Sequence, residues 1–585
     1  MKKNSITFIL AVLVSFVTKA QSGENVQGFK SIPQEHVYVH FSESLLFSGE
    51  HLLYKVYCMD NAERKLSSLS KMAYIALVGE DGNTVFKHKI RLNSGSGSGD
   101  FFVPTSIPTG SYKLLGYSEW MQNFGQKDFF QSDIYIVNPY QTTSGIHLEQ
   151  PVDTLIDSIP LPLKPLVLPE VPSKQSVFAN MAVDRSTVGK RERVTLKVTS
   201  TNGSVNNGSY SISVRKVDSL PAPSQMTSDA FVSSFLRLGQ NNVGANKIDL
   251  PELRGEVISG TVLDKESQEP VENLRISLSL PGDKYLFNVA TSNNEGKFRF
   301  IVNREYDNTK AALQVLSTDW DRYQISIDEY SKEYENLEFS GFTLSKNMKD
   351  YILRKSIHNQ IENVYREARS DSMVPAQHVT PFYRRFTEVY NLDDYTRFNG
   401  IPETIVEVVD QVSIRKLNDG ERVFEVRPGE GFTDNSLLPI VFVDGLFIRR
   451  HEDIMGYSAK KIQSIKFSRD KVLVGSQMFQ GVVSLETIEG DFYSDFYTPH
   501  IVNLDLFKPQ SRKDYHIQQY DENGNHERIP DFRHQLFWEP NLDLSTGSNE
   551  IIFYTSDVPG VYELVLEGFT SNGNPVSVKE KLVVE

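Results

Sequence analysis

The sequence predicts a mainly β fold: several β-sandwiches in tandem, interrupted by one small α/β module and one short helical segment. Runs of β-branched and aromatic residues with period-two alternation recur along most of the chain, separated by Gly, Asn and Asp turn signals. The apolar spacing changes to three and four residues only after about position 345. At 585 residues the chain is far longer than one hydrophobic core accommodates, so several separate cores are expected.

Residues 1–20 read as a secretory signal. Lys2 and Lys3 precede an apolar run from position 6 to 17, and Thr18, Lys19 and Ala20 follow with small residues where a signal peptidase inspects the chain. A bacterial lipoprotein would need Cys directly after the cleavage point, and Gln21 stands there, so no lipid anchor is expected. No later run approaches the ~20 apolar residues of a membrane helix, so no direct membrane span is expected either. Loss of Lys2, Lys3 and Lys19 takes the 61 basic residues to 58 against 75 acidic ones, a balance that argues against nucleic acid as a partner. The single cysteine, Cys58, excludes an internal disulfide, and its parity with Tyr54 and Val56 places it on an apolar strand face as a core residue.

The first sandwich is expected over residues 28–140. His36-Val37-Tyr38-Val39-His40-Phe41 and residues 72–78 are strand candidates, Asp81-Gly82 supplies a tight hairpin, and Thr109-Gly110 leads into a strand at 112–117. The Ser-Gly tract at 94–99 lacks the Lys of a phosphate loop and is read as a flexible turn. Residues 141–178 form a linker punctuated by six prolines: Pro151, Pro160, Pro162, Pro165, Pro169 and Pro172. Within it, Thr154 and Ser158 sit in acidic-hydroxyl-apolar triplets of the kind that some bacteria O-glycosylate.

A second β-sandwich segment is expected over 179–252, where 193–198 and 210–217 alternate cleanly, and a third sandwich over 253–345. The helical segment covers 346–397. Leu353, Ile357, Ile361, Val364, Tyr365 and Ala368 form a stripe read as its packing face, and Phe382, Phe386 and Val389 suggest a further helical turn. The α/β module occupies 398–496, and the period-two runs of 497–585 predict a C-terminal sandwich.

Several passages carry resemblances. His36-Val37-Tyr38-Val39-His40, Phe47-Ser48-Gly49-Glu50, Tyr54-Lys55-Val56-Tyr57 and Pro108-Thr109-Gly110-Ser111-Tyr112 resemble the macroglobulin-type, immunoglobulin-like sandwich (MG2-like) of Bacteroidota envelope proteins. Cys58 stands in Tyr57-Cys58-Met59-Asp60 rather than in the Cys-Gly-Glu-Gln thioester of protease-trapping macroglobulins, so that chemistry is not implied. Ile258-Ser259-Gly260-Thr261-Val262-Leu263-Asp264, Glu269-Pro270-Val271 and Gly296-Lys297-Phe298 resemble a carboxypeptidase-regulatory-like domain, a sandwich without catalytic residues. Its inner positions are expected to be Val262, Ile276, Leu278, Phe298 and Phe300.

Pro439-Ile440-Val441-Phe442-Val443-Asp444-Gly445, Ile462-Gln463-Ser464-Ile465-Lys466-Phe467, Gly475 and Gly481-Val482-Val483-Ser484-Leu485 resemble the plug domain of TonB-dependent outer-membrane receptors. The resemblance makes Val443, Asp444, Gly445, Gly475 and Gly481 the candidate interaction motif. A receptor barrel of about 22 strands needs far more chain than follows the module. Leu536-Phe537-Trp538-Glu539-Pro540 and Phe553-Tyr554-Thr555-Ser556-Asp557 resemble the C-terminal portion of the same envelope proteins, and Trp538 and Tyr554 are read as packing residues before a ligand platform.

No common catalytic pattern survives inspection. Gly239 and Gly244 have phosphate-loop spacing, but Ala245 and Asn246 replace the Lys and Ser/Thr that reach phosphate and magnesium. His451-Glu452 begins like a zinc-protease helix, and Met455 takes the second ligand's place. His358 and Glu362, one turn apart, are read as an ion-pairing face, and His36 and His40 share a strand face with Tyr38. Asp393-Asp394 and Glu421 with Glu425 are acidic pairs that sequence cannot place across a cleft. The expectation is a non-enzyme with no catalytic, metal or cofactor site. It is read as an exported scaffold or accessory subunit, periplasmic or outer-membrane associated. Its partner is an outer-membrane protein or a barrel of the TonB-dependent-receptor kind. The alternative is a glycan- or peptide-binding surface protein.

Overall fold

The computed structural model describes residues 32–141, 173–201, 207–236, 248–306, 308–328, 334–375, 379–429, 436–520 and 529–585. The signal segment 1–20, Thr154 and Ser158, most of the proline-rich linker, and Gly239 with Gly244 lie outside the described residues. The protein is mainly β, built from paired sheets with few helices. It divides into two compact units, one of residues 1–253, 332–375 and 509–585, the other of 254–331 and 376–508.

In the first unit, strands Glu35–Phe41 and His51–Asp60 pair antiparallel with Tyr38 opposite Tyr57 and His40 opposite Lys55. They face a five-stranded sheet that contains Met72–Gly79, Gly110–Tyr117 and Phe130–Val137. Cys58 is fully buried between these sheets, and burial pushes its thiol well above the ordinary range. The 94–99 tract is not a flexible turn. Ser96–Phe102 is a strand paired with His51–Asp60, and glycine is required by close approach: a Cβ on Gly97 would lie 2.5 Å from the Arg91 carbonyl oxygen.

The segments expected as separate sandwiches over 179–252 and 497–585 share one pair of sheets. Arg193–Ser200 pairs with Ser548–Tyr554, and Ser209–Lys216 lies between Gln535–Glu539 and Gly560–Phe569. One core results, with Leu196, Ile212, Val214, Phe553, Leu564 and Leu582 buried together. Alternation announces which face of a strand is buried and says nothing about which distant strand completes the sheet, which is why the two halves read as independent.

In the second unit, Glu256–Asp264 pairs with Lys297–Val302 and Tyr323–Ile327, opposite a sheet of Arg275–Leu280, Leu286–Thr291, Lys310–Val315 and Ile501–Asp505. The expected inner residues Val262, Ile276, Leu278, Phe298 and Phe300 are all buried. The last strand of this sandwich, Ile501–Asp505, comes after the α/β module, so the module is an insertion within the sandwich rather than a bead following it.

The module is a five-stranded sheet whose centre is the long hairpin Ile462–Val474 and Gln477–Thr487, with Ile440–Val443 parallel to the second arm. Helix Ile401–Val408, led by Pro402 in its first turn, buries Ile401 and Ile405 against Val441, Ile465 and Leu485. Phe382, Phe386 and Val389 do not continue a helix. Glu388–Asn391 is an edge strand on Ile462–Val474, and Phe382 and Phe386 pack from an extended segment onto Phe287 and Phe442. Pro381 immediately before Phe382 removes a donor that a helix interior would need.

Candidate functional site

The five motif residues of the module all lie in the second unit, at separate contacts. Asp444 has φ of +46°, is 8% exposed, and its carboxylate accepts from the Thr487 amide at 2.8 Å, the Thr487 hydroxyl at 2.5 Å and the Phe492 amide at 3.0 Å. Gly445, with φ of +79°, lies where a Cβ would stand 2.3 Å from Cβ of Tyr285, and Gly475 is packed on the Val289 carbonyl, 2.5 Å from such an atom. Gly481 is similarly pressed on Val426, and Val443 is buried. Gly445 and Gly475 therefore seat the module on the neighbouring sandwich, while the Asp444 carboxylate and Gly481 tie the module to itself. An aromatic cluster fills that seat, with Phe287 5.4 Å from Phe442 and 4.7 Å from Phe447 between ring centroids, and Gln314 donates to the Phe447 carbonyl at 2.7 Å. Val443, Asp444, Gly445 and Gly481 are buried, and Gly475 is exposed at the tip of the hairpin.

The other candidates are equally absorbed by packing. His36, Tyr38 and His40 do share a face, and it is closed between the first two sandwiches: the Tyr38 hydroxyl donates to Glu567 at 3.2 Å and His40 Nδ1 meets the Ser211 hydroxyl at 2.7 Å. Burial, with Arg215 and Lys579 nearby, lowers His40 to about 3, so it is neutral at physiological pH. Trp538 is 4% exposed and tilted against His40, which makes it packing and not a platform. His451 accepts from the Phe424 amide at 3.1 Å. Glu421, Glu425 and Asp393 pair with Arg450, Arg415 and Arg397. His358 meets His534 at 3.2 Å and stacks on Phe532, while Glu362 pairs with Arg369. Among the described residues no group of three or more His, Cys, Asp or Glu is placed to hold a metal ion.

The feature that sequence reading misjudged most is the helix Lys349–Val364 in the first unit. Three residues of its apolar stripe point outward, Leu353 55% exposed, Ile357 45% and Val364 76%, while Ile361 and Tyr365 are half-buried. The side turned inward carries Lys355, Ser356 and Asn359, with Tyr351 and Ile352 at the edge of a cluster containing Leu45, Phe47, Tyr135 and Val137. What reverses the helix is Lys355. It is 1% exposed, its ammonium lies 2.8 Å from Asp218, 3.4 Å from Glu50 and 3.6 Å from Glu43, and it stands 4.6 Å from the centroid of the Phe47 ring. Burial opposes its charge, but the three carboxylates outweigh that, and its ammonium titrates well above the usual lysine range. Asn363 adds a bond to the Gly49 carbonyl at 3.1 Å. The signal available in the sequence was the second stripe of Ile352, Lys355, Ser356, Asn359 and Asn363 at helical spacing, with acidic Glu43, Glu50 and Asp218 far away in the chain.

No family model matches the chain, and no curated protein sequence does. Among solved structures, Salmonella alpha-2-macroglobulin reacted with methylamine aligns at 9% identity over 94% of this chain and 39% of its own, with a TM-score of 0.22. Trypsin-activated alpha-2-macroglobulin from Escherichia coli aligns at 10% identity over 94% and 41%, also with a TM-score of 0.22. The adhesin InvE of Yersinia pseudotuberculosis aligns at 7% identity over 50% and 57%, with a TM-score of 0.13. The chain thus spans about two fifths of the length of the two macroglobulins. No family is assigned by these matches, and no activity is carried over from them.

Proposed function

We propose that the chain is an exported, non-enzymatic scaffold or accessory subunit of a cell envelope that docks on an outer-membrane protein. The observation that carries the docking is the reversed helix Lys349–Val364. Leu353, Ile357 and Val364 lie exposed on one side of a helix that the Lys355 cluster holds in place, an apolar face of the kind a partner covers. The nested sandwiches suit a scaffold: each unit is closed by strands from distant parts of the sequence, which holds surface elements in fixed relation within that unit. The export signal and the plug-like pattern support an outer-membrane protein as the occupant.

Serine at Leu353, Ile357 and Val364 together in a tagged full-length chain tests this by mild-detergent co-purification from envelopes. The outer-membrane partner is expected to be lost while the helix keeps its hydrogen-exchange protection. Unchanged recovery contradicts the docking reading.

The glycan- or peptide-binding alternative has one observation of its own. A groove of about 740 Å³ in the first unit is lined by polar side chains, among them Lys113, Gln126, Gln131 and Asp133, with residues 335–340 along its rim. Retention of the purified chain on an immobilised polysaccharide, lost on Gln126→Ala with Gln131→Ala, would favour that function over docking.

A further inference from the structure

The seat of Lys355 is a cluster whose charges do not balance. Three carboxylates, from Glu43, Glu50 and Asp218, surround one ammonium in a site closed by Phe47 and Tyr351. Within contact range of Lys355 the carboxylates outnumber the ammonium three to one, with Arg215 and Lys216 acting on them only from beyond contact range, and the cluster relieves the repulsion among its acids most simply by keeping a proton on one carboxyl. Glu43 is the carboxyl farthest from the ammonium, whereas Glu50 accepts from the Phe47 amide at 2.7 Å and Asp218 from the Leu220 amide at 2.9 Å.

We propose that this cluster is a proton-dependent latch that fastens the helix Lys349–Val364 to the first sandwich, with the proton resident on Glu43 in the fastened state. The latch stands whether or not a partner covers the outer stripe of the helix.

The direction of its pH dependence follows from linkage. Burial, offset in part by Lys355 and reinforced by Glu50, pushes Glu43 up to about 8 from 4.5. A fastened helix then holds a proton that the released one gives up, so release becomes about tenfold easier per pH unit between those values and levels off above about 8. Asp218 is buried, yet Lys355 draws it below the usual carboxylate range, so it titrates only in acid. Lys355, raised far above neutrality, does not change charge in the window.

The remaining groups facing the cluster are Arg215 and Lys216 from the end of one strand, Arg354 and His358 on the helix, and His534 across from it. Burial lowers Lys216, with Asp218 opposing. His358 and His534 are kept neutral by burial and by neighbouring cations, against an ordinary value of 6.5. Release would let them take up protons below about pH 6.5, opposing the Glu43 effect there. The readable window is therefore pH 6.5 to 8.

Hydrogen exchange with mass spectrometry on the full chain reads it directly. After correction for intrinsic exchange, amides of residues 349–364 are expected to lose about fifteenfold in protection from pH 6.5 to 8. Peptides from the sheet core of the second sandwich should not change. Glu43→Gln, which imitates the protonated carboxyl, is expected to hold the pH 6.5 protection through pH 8. A wild-type helix with flat protection, a loss shared by every peptide of the unit, or a wild-type slope that persists in Glu43→Gln each overturns the proposal. Should Glu43→Gln fail to fold, the wild-type series alone decides it.

Discussion

The hydroxyl of Tyr38 on the first sandwich donates to the carboxylate of Glu567 on the second at 3.2 Å, and neither side chain is more than 2% exposed. Glu567 also accepts from the Ser577 hydroxyl at 2.7 Å and the Ser228 amide at 2.8 Å, so one buried acid ties two strands, a helix start and the neighbouring sandwich together. Burial raises its pKa in spite of these donors. A buried acceptor that loses one donor pays its desolvation without return.

Tyr38→Phe should accordingly destabilise the first unit by about 1–2 kcal/mol. Urea unfolding followed by hydrogen exchange on strands Glu35–Phe41 and Gly560–Phe569 checks this. The second unit should unfold at its wild-type midpoint.

Lys55 gives a pH test in the same interface. It is 2% exposed, donates to Asn541 at 2.7 Å, and burial lowers it to about 7, with Glu539 opposing. Between about 7 and 10.5 the unfolded chain binds the extra proton, so this residue makes the unit more stable as pH rises through that range. Lys55→Met removes the rise and is expected to raise stability at pH 7 by about 1–3 kcal/mol. Urea midpoints at pH 7 and 9 measure both effects.

Asp444 and Gly445 test the internal role of the module's motif. Asp444→Ala strands the Thr487 and Phe492 donors and is expected to cost about 2–4 kcal/mol in the second unit. Gly445→Ala adds a clash with Tyr285 to an unfavourable backbone and should cost more than about 2 kcal/mol. Both losses should appear in thermal unfolding of the second unit and leave the first unit's transition in place.

The sequence announced strands and inner faces well because alternation is a local property: Val262, Ile276, Leu278, Phe298 and Phe300 face inward as their parity requires. It did not announce partners. Ile501–Asp505 closes a sheet begun near residue 275, and Ser548–Tyr554 completes one begun near 179, pairings that alternation cannot encode. The motif around Asp444 was legible as a turn with obligatory glycines, while the surface that presses on those glycines belongs to Tyr285 and Val289, far away in sequence. The helix was legible as a helix and its orientation was not. Hydrophobic periodicity assumes that the apolar face is the buried one, and Lys355, held by three distant carboxylates, reverses that rule here.

Docking through the outward stripe is the central claim, and site-specific photocrosslinking in intact cells tests it most directly. A benzophenone side chain at Ile357 should give one predominant crosslink to an outer-membrane protein, whereas the same probe at exposed Ile552 should give none. A stripe that yields no crosslink at Leu353, Ile357 or Val364, in a chain that still reaches the envelope, would contradict the account.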